Sequence, residues 1–196
     1  MRIVAGSLRG KTIDAPSGED TRPTTDRVRE ALFSSLYSLR GDFEGAVVLD
    51  AFAGSGALGI EALSRGAARA VFYERADKAI AVLKRNITGC KLQEGAAEII
   101  RRDILTHPPA ASQSPFDLVF LDPPYAFEAS KVLQMVESIR LSGALAPGAL
   151  IVYEHALKDA SAVASAFENL SYEVETAKKY GKTGVTIALA PGAQGE

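Results

Sequence analysis

The chain has 196 residues, 47% hydrophobic and 23% charged, with 17 glycines and a single cysteine, so one sizeable core is expected and collagen-like, coiled-coil and disulfide-scaffold architectures are excluded. Its longest apolar runs, such as Leu118 to Leu121 and Ala149 to Tyr153, fall far short of the roughly 20 residues of a membrane-crossing helix, and MRIVAGSLRGK lacks the apolar stretch of a secretion signal; a soluble cytoplasmic protein without membrane partners is the expectation. The formal net charge of -2 argues against a uniformly basic nucleic-acid binder.

In chain order, Arg2 to Ala5 and Lys11 to Ala15 read as short extended pieces around a Gly6-Ser7 to Gly10 turn, a hairpin outside the main core, followed by a glycine, acid and proline loop through Pro23. Thr24-Thr25-Asp26 offers helix-capping chemistry, and Val28, Ala31, Leu32, Ser35, Leu36 and Leu39 recur at helical spacing until Gly41, predicting a helix from Thr25 to Leu39. From Ala46 the pattern becomes short apolar runs alternating with helical segments. Strands are predicted at 47–49, 70–73, 97–100, 117–121 and 150–152, with helices at 57–65, 77–89, 130–141 and 159–170. Continuous apolar strands are what a parallel sheet buried on both faces requires, so the expectation is a doubly wound, Rossmann-like α/β fold. Strands at 172–176 and 184–189 have only the polar segment 177–183 between them, so they should pair antiparallel at one edge. One domain over 1–196 is expected, with 1–40 as a hairpin and helix extension packed on a 41–190 core.

Asp50-Ala51-Phe52-Ala53-Gly54-Ser55-Gly56-Ala57-Leu58-Gly59 ends the first sheet strand and opens a helix, the place where α/β folds bind ligands. Gly54 to Gly59 fits G-x-G-x-x-G, and Glu74 ends the next strand at the distance suited to ribose hydroxyls, so a nicotinamide enzyme is one reading. Asp50 argues against it, because a carboxylate at the end of that strand repels a pyrophosphate and attracts a cation. S-adenosylmethionine carries positive amino and sulfonium groups together with a ribose diol, and Asp103, ending the third strand, stands where an adenine amino group could be met. Neither Gly181-Lys182-Thr183 nor Gly10-Lys11-Thr12 makes a phosphate loop, because Thr176 and Ala5 occupy the leading glycine position. Cys90, His107 and His155 have no partners at metal-ligand spacing, so no metal is expected.

The strand at 117–121 runs into Asp122-Pro123-Pro124-Tyr125. Two prolines stiffen the turn and remove two donors, leaving carbonyls and the Asp122 carboxylate as fixed acceptors. Such acceptors can take the hydrogens of an exocyclic amine, free its lone pair for attack on a methyl group, and let Tyr125 stack on the base.

Asp122 to Tyr125 together with Asp50 to Gly56 resembles the class I amino-methyltransferases. Arg2-Ile3-Val4-Ala5-Gly6 with Gly10-Lys11, then Thr21-Arg22-Pro23-Thr24 and Val28-Arg29-Glu30-Ala31-Leu32-Phe33, are similar to the RsmD family, which methylates N2 of one guanine in bacterial 16S ribosomal RNA. The resemblance covers essentially the whole chain. It implies S-adenosylmethionine binding by Asp50, Gly54, Gly56, Glu74 and Asp103, with Phe52, Arg75, Ile104 and Asp122 alongside. It further implies that Asp122, Pro123, Pro124 and Tyr125 are the catalytic loop, that Arg22, Thr24 and Arg29 line its mouth, and that the partner is 16S rRNA in the small ribosomal subunit or its assembly intermediate. A monomer is expected.

Residues 1–40 hold seven Arg/Lys against five Asp/Glu, a net +2, which leaves -4 for the rest. Arg9 and Lys11 in the hairpin, and Lys178, Lys179 and Lys182 in a basic loop, are therefore expected to grip phosphates. A DNA adenine-N6 methyltransferase could use the same Asp-Pro-Pro-Tyr loop, although the chain has no spare recognition domain. A protein or small-molecule methyltransferase and a nonenzymatic RNA-binding protein are further alternatives.

Overall fold

The computed structural model describes residues 1–15, 26–110 and 114–192. The chain divides into two compact units, Met1–Arg102 and Asp103–Glu196.

In the first unit the N-terminal hairpin is followed by α1 (Asp26–Arg40), β1 (Val47–Asp50), α2 (Ala57–Ser64), β2 (Arg69–Glu74), α3 (Asp77–Cys90) and β3 (Ala97–Arg101). Its strands lie in the order β3-β2-β1, all parallel, with Leu49 beside Val71 and Phe72 beside Ile99. Val48, Leu49, Ala70 and Phe72 are fully buried, as continuous apolar runs in a covered parallel sheet require. The second unit contains β4 (Phe116–Leu121), α4 (Ala129–Leu141), β5 (Leu145–Ala156), a short 3-10 turn (Leu157–Asp159), α5 (Ala160–Asn169), β6 (Glu173–Tyr180) and β7 (Thr183–Leu189). Its strand order is β4-β5-β7-β6, parallel between β4 and β5 and antiparallel in the other two pairs. The seven described strands thus make a mixed α/β fold, mostly parallel, with the expected antiparallel end.

Four expectations need correction. The fifth strand is far longer than 150–152, because Pro147 and Gly148 do not end it. The register passes from Phe116↔Leu145 to Leu118↔Leu150, so three extra residues bulge out of β5, with Gly148 at φ 71. The segment 177–183 is not a loop: β6 runs to Tyr180 and a two-residue turn, Gly181-Lys182, leads into β7, Gly181 supplying the positive φ of 64. Its polar residues hid it, since an edge strand exposed on both faces has no apolar alternation. The hairpin is not outside the core, for Ile3 and Ile13 are buried; its pairing is one antiparallel bridge, Arg2↔Thr12, with flanking backbone hydrogen bonds such as Ile3 N–H to the Lys11 carbonyl at 2.9 Å. Finally, α1 buries Leu32, Ser35 and Leu36 of the predicted stripe and adds Arg29 and Phe33, while Val28 and Ala31 are half-buried and Leu39 is exposed, so its buried face is shifted from the predicted one. The predicted cap at Thr24-Thr25, the loop through Pro23 and the last residues of the tail lie outside the described residues.

Candidate active site

In the first unit the glycine loop joins the end of β1 to α2. Gly56 takes the cap position of α2 with φ 80, where a Cβ would also sit 2.4 Å from Leu83, so the turn demands glycine. Gly59 serves a different need: a Cβ there would lie 2.3 Å from the Phe72 ring, so its absence lets helix and strand pack. The Gly59 N–H donates to Asp50 Oδ2 at 3.0 Å, and Asp50 is almost fully buried. Burial pushes the Asp50 carboxyl up to about 7; the Gly59 hydrogen bond opposes this and the charge of Glu74 adds to it.

Glu74, at the end of β2, is half-buried. Its Oε2 accepts the Gly54 N–H at 2.9 Å, and its Oε1 accepts those of Arg75 and Ala76 at 2.8 Å each. Three backbone donors therefore fix the carboxylate. Beside Gly54 itself the space is open. Phe52 is half-buried and Arg75 exposed. Asn86 of α3 locks the loop from behind, donating to the carbonyls of Ser55 (2.8 Å) and Asp14 (2.9 Å) and accepting the Asp14 N–H at 2.8 Å.

The N-terminal hairpin is held by a residue that sequence reasoning missed. Glu61, fully buried on α2, accepts the N–H groups of Val4 (2.7 Å) and Ala5 (3.0 Å) and pairs with Arg65 Nε at 2.8 Å. An acid inside the otherwise apolar stretch Ala57–Ser64 was the available signal. Arg9 and Lys11 are exposed, as a phosphate-gripping role needs. Arg29 is not at a surface mouth. It is fully buried, donating to the Arg2 carbonyl (2.5 Å) and pairing with Asp26 Oδ1 (2.6 Å). Burial works against the Asp26 charge, yet the Arg2 N–H and the Arg29 guanidinium hold its carboxyl below the usual range. Arg22 and Thr24 lie outside the described residues.

In the second unit Asp103 is half-buried and accepts the Leu105 N–H at 3.0 Å, and Ile104 is buried. Asp122 follows β4 directly and is half-buried; Pro123 is buried, Pro124 exposed, and Tyr125 is 50% exposed with its hydroxyl 3.5 Å from Thr183 Oγ1. The Pro124 carbonyl accepts the Phe127 N–H at 2.9 Å, closing the turn. The loop forms one wall of a cavity of about 370 Å³, whose other walls include Tyr153, Glu154 and His155 at the end of β5. These three were not singled out from the sequence. Burial, with the Asp159 charge adding, pushes the Tyr153 hydroxyl up to about 12. The His155 ring nitrogens lie 3.0 Å from Thr186 Oγ1 and 3.0 Å from the Ala156 carbonyl. Lys178 and Lys179 are exposed on β6 and Lys182 on the turn.

Among the described residues, no group of three or more His, Cys, Asp or Glu could hold a metal ion, and no helix is long and apolar enough to cross a membrane.

Comparison with known proteins gives the family and the fold. The family model described as conserved hypothetical protein 95 matches residues 1–189. YlbH of Bacillus subtilis is 37% identical over 191 residues, 95% of this chain and 97% of that protein. Ribosomal RNA small subunit methyltransferase D of Haemophilus influenzae is 41% identical over 158 residues, 79% of this chain and 78% of that protein. The solved structure of yhhF from Escherichia coli matches with a TM-score of 0.76 at 30% identity, covering 97% of this chain and 98% of that one. The fold is that of the class I methyltransferases. With a family model spanning nearly its whole length and relatives matched over most of theirs, the chain belongs to the conserved hypothetical protein 95 family, which is the RsmD family.

Proposed function

We propose that this protein transfers a methyl group from S-adenosylmethionine to N2 of a guanine in small-subunit ribosomal RNA. The observation that carries the reading is the Asp122-Pro123-Pro124-Tyr125 loop, set directly after β4, whose Pro123, Pro124 and Tyr125 wall a cavity, in a chain whose relatives include ribosomal RNA small subunit methyltransferase D.

The chemistry of the first unit fits S-adenosylmethionine. The three backbone donors on Glu74 leave one of the roughly four acceptor positions of its carboxylate for a ribose hydroxyl. Open space beside Gly54 admits a ligand against the backbone. The charge of neighbouring Glu74 adds to the cost of ionising buried Asp50, which a cationic ligand offsets. Gly56, Phe52, Arg75, Asp103 and Ile104 complete the set assigned to the cofactor. The cofactor supplies an electrophilic methyl group on a good leaving group, so what remains for the protein is positioning.

Asp122 and the Pro123 carbonyl accept the two N–H donors of the exocyclic amine, turning its lone pair out of the ring, and half-exposed Tyr125 stacks on the base. Arg9, Lys11, Lys178, Lys179 and Lys182 grip phosphates outside this pocket.

The direct test incubates the protein with methyl-labelled S-adenosylmethionine and unmodified small-subunit particles, then identifies the labelled nucleoside. N2-methylguanosine at one position is expected; label on adenosine, or on DNA or protein alone, would overturn the substrate assignment. Asp122→Ala is expected to lower turnover by about 10²-fold or more while cofactor affinity, measured by calorimetry, barely moves. Equal losses in both would make Asp122 a cofactor ligand rather than a base acceptor.

A further inference from the structure

The cavity behind the Asp-Pro-Pro-Tyr loop is lined by three acids, Glu128, Glu154 and Asp159, of which only Glu154 is buried. Parallel pairing of β4 with β5 puts Leu121 beside Tyr153, so Asp122, just past the end of β4, and Glu154, still within β5, are the next residues along the two neighbouring chains. Glu154 is nearly buried and lines the cavity together with Pro123, Tyr125 and Phe127. A volume of about 370 Å³ falls in the range of small-molecule sites. The acceptor chemistry assigned to Asp122 and Pro123 accounts for the exocyclic amine alone.

Resting on the proposed guanine-N2 reading, we propose that Glu154 is the specificity-determining residue of the base pocket, accepting the N1–H of the target guanine while Asp122 takes the neighbouring amine. Guanine presents two adjacent donors on that edge, N1–H and N2–H. Adenine presents an acceptor at N1 beside its N6 amine, so a carboxylate at the Glu154 position meets a lone pair and repels it. An Asp-Pro-Pro-Tyr loop alone favours any exocyclic amine. Glu154 turns the pocket into one for guanine, and it does so by rejecting adenine as much as by binding guanine. His155, the next residue, is already engaged by Thr186 and the Ala156 carbonyl.

The test compares guanine with 2-aminopurine, which keeps the 2-amine and lacks the N1 hydrogen. Small-subunit particles are reconstituted with rRNA carrying either base at the position that the wild-type protein labels. Wild type should prefer guanine by about 10²-fold or more in kcat/KM. Glu154→Gln should narrow that preference sharply, because its amide can accept the guanine N1–H through its carbonyl or turn an N–H toward the 2-aminopurine N1; S-adenosylmethionine affinity by calorimetry should stay at the wild-type value. Wild type that methylates both bases equally defeats the proposal without need of any variant, and so does a Glu154→Gln protein with the wild-type preference. Wild-type label on adenosine instead of guanosine would sink the underlying reading and this proposal together, whereas label on guanosine with an unchanged preference sinks this proposal alone.

Discussion

At the scale of single residues, Asp50 is a buried carboxylate tied to the Gly59 N–H of α2. Its acidic identity and its place before the glycine loop were readable in the sequence, but its bond to the Gly59 N–H was not, because that contact depends on how closely Gly59 approaches Phe72. The consequence is a pH effect whose sign can be worked out. Burial raises the folded-state value to about 7 against an ordinary 3.8, so between about pH 4 and pH 7 the folded protein holds a proton that the unfolded chain has released. Stability contributed by this group therefore falls as pH rises through that window, and the full penalty stands above it. Asparagine keeps a carbonyl for Gly59 and carries no charge. Asp50→Asn should thus melt progressively higher relative to wild type from pH 5 to pH 8, by an amount equivalent to a few kcal/mol at most. A melting-temperature difference that stays flat across that range would mean that Asp50 is ionised throughout, already compensated within the fold.

At the scale of elements, the N-terminal hairpin is an attachment to α2 rather than an extension with its own stability. Glu61 and Ser64 provide the contacts: Glu61 takes the Val4 and Ala5 N–H groups, and Ser64 takes the Leu8 N–H at 2.9 Å through its hydroxyl and the Ser7 N–H at 2.7 Å through its carbonyl. Gly6 makes this approach possible, with φ 81 and a hypothetical Cβ only 1.8 Å from the Ser64 carbonyl oxygen. Gly6→Ala should destabilise the protein by about 3 kcal/mol in urea unfolding and release the Val4 and Ala5 amides to hydrogen exchange; unchanged protection of those amides would mean that the hairpin docks without this contact. Elements of this kind mark where the sequence was opaque. Helices α2 and α3 and strands β1, β2 and β4 were legible to within a residue or two, the strands and α2 because they are apolar nearly throughout and α3 because its buried residues recur at helical spacing. The docking of the hairpin and the second half of β6 were not: the hairpin is held by backbone donors meeting Glu61, and β6 is an edge whose residues are nearly all exposed. The candidate site divides likewise. The glycine loop, Glu74 and the Asp-Pro-Pro-Tyr loop carry motif spacing, whereas Glu154 becomes visible only once β5 is paired with β4, and Arg29 looked like a surface cation until α1 turned it inward.

At the scale of the whole molecule, a chain with net charge -2 that binds RNA must do so through a few local cations, since its average field repels phosphate. With Arg29 buried, the described residues assigned to that task are Arg9, Lys11, Lys178, Lys179 and Lys182. Lys178 and Lys179 are adjacent on β6, opposite Val185 and Gly184, so their side chains leave opposite faces of the strand. One flat RNA surface meets only one of them well. An edge strand also gains from lysines because they discourage pairing with another chain, which gives the second lysine a purpose that needs no RNA. Reversing Lys178, Lys179 and Lys182 together to Glu should weaken rRNA binding and flatten its dependence on log salt by about one to two units, close to one per lost phosphate contact, while cofactor affinity is spared. Of the single reversals, Lys178→Glu and Lys179→Glu should differ, only one reproducing most of the loss. If the triple variant binds rRNA with wild-type affinity and salt slope, the basic edge of β6 guards against sheet-to-sheet association instead, and RNA contact rests on Arg9 and Lys11 of the hairpin held by Glu61.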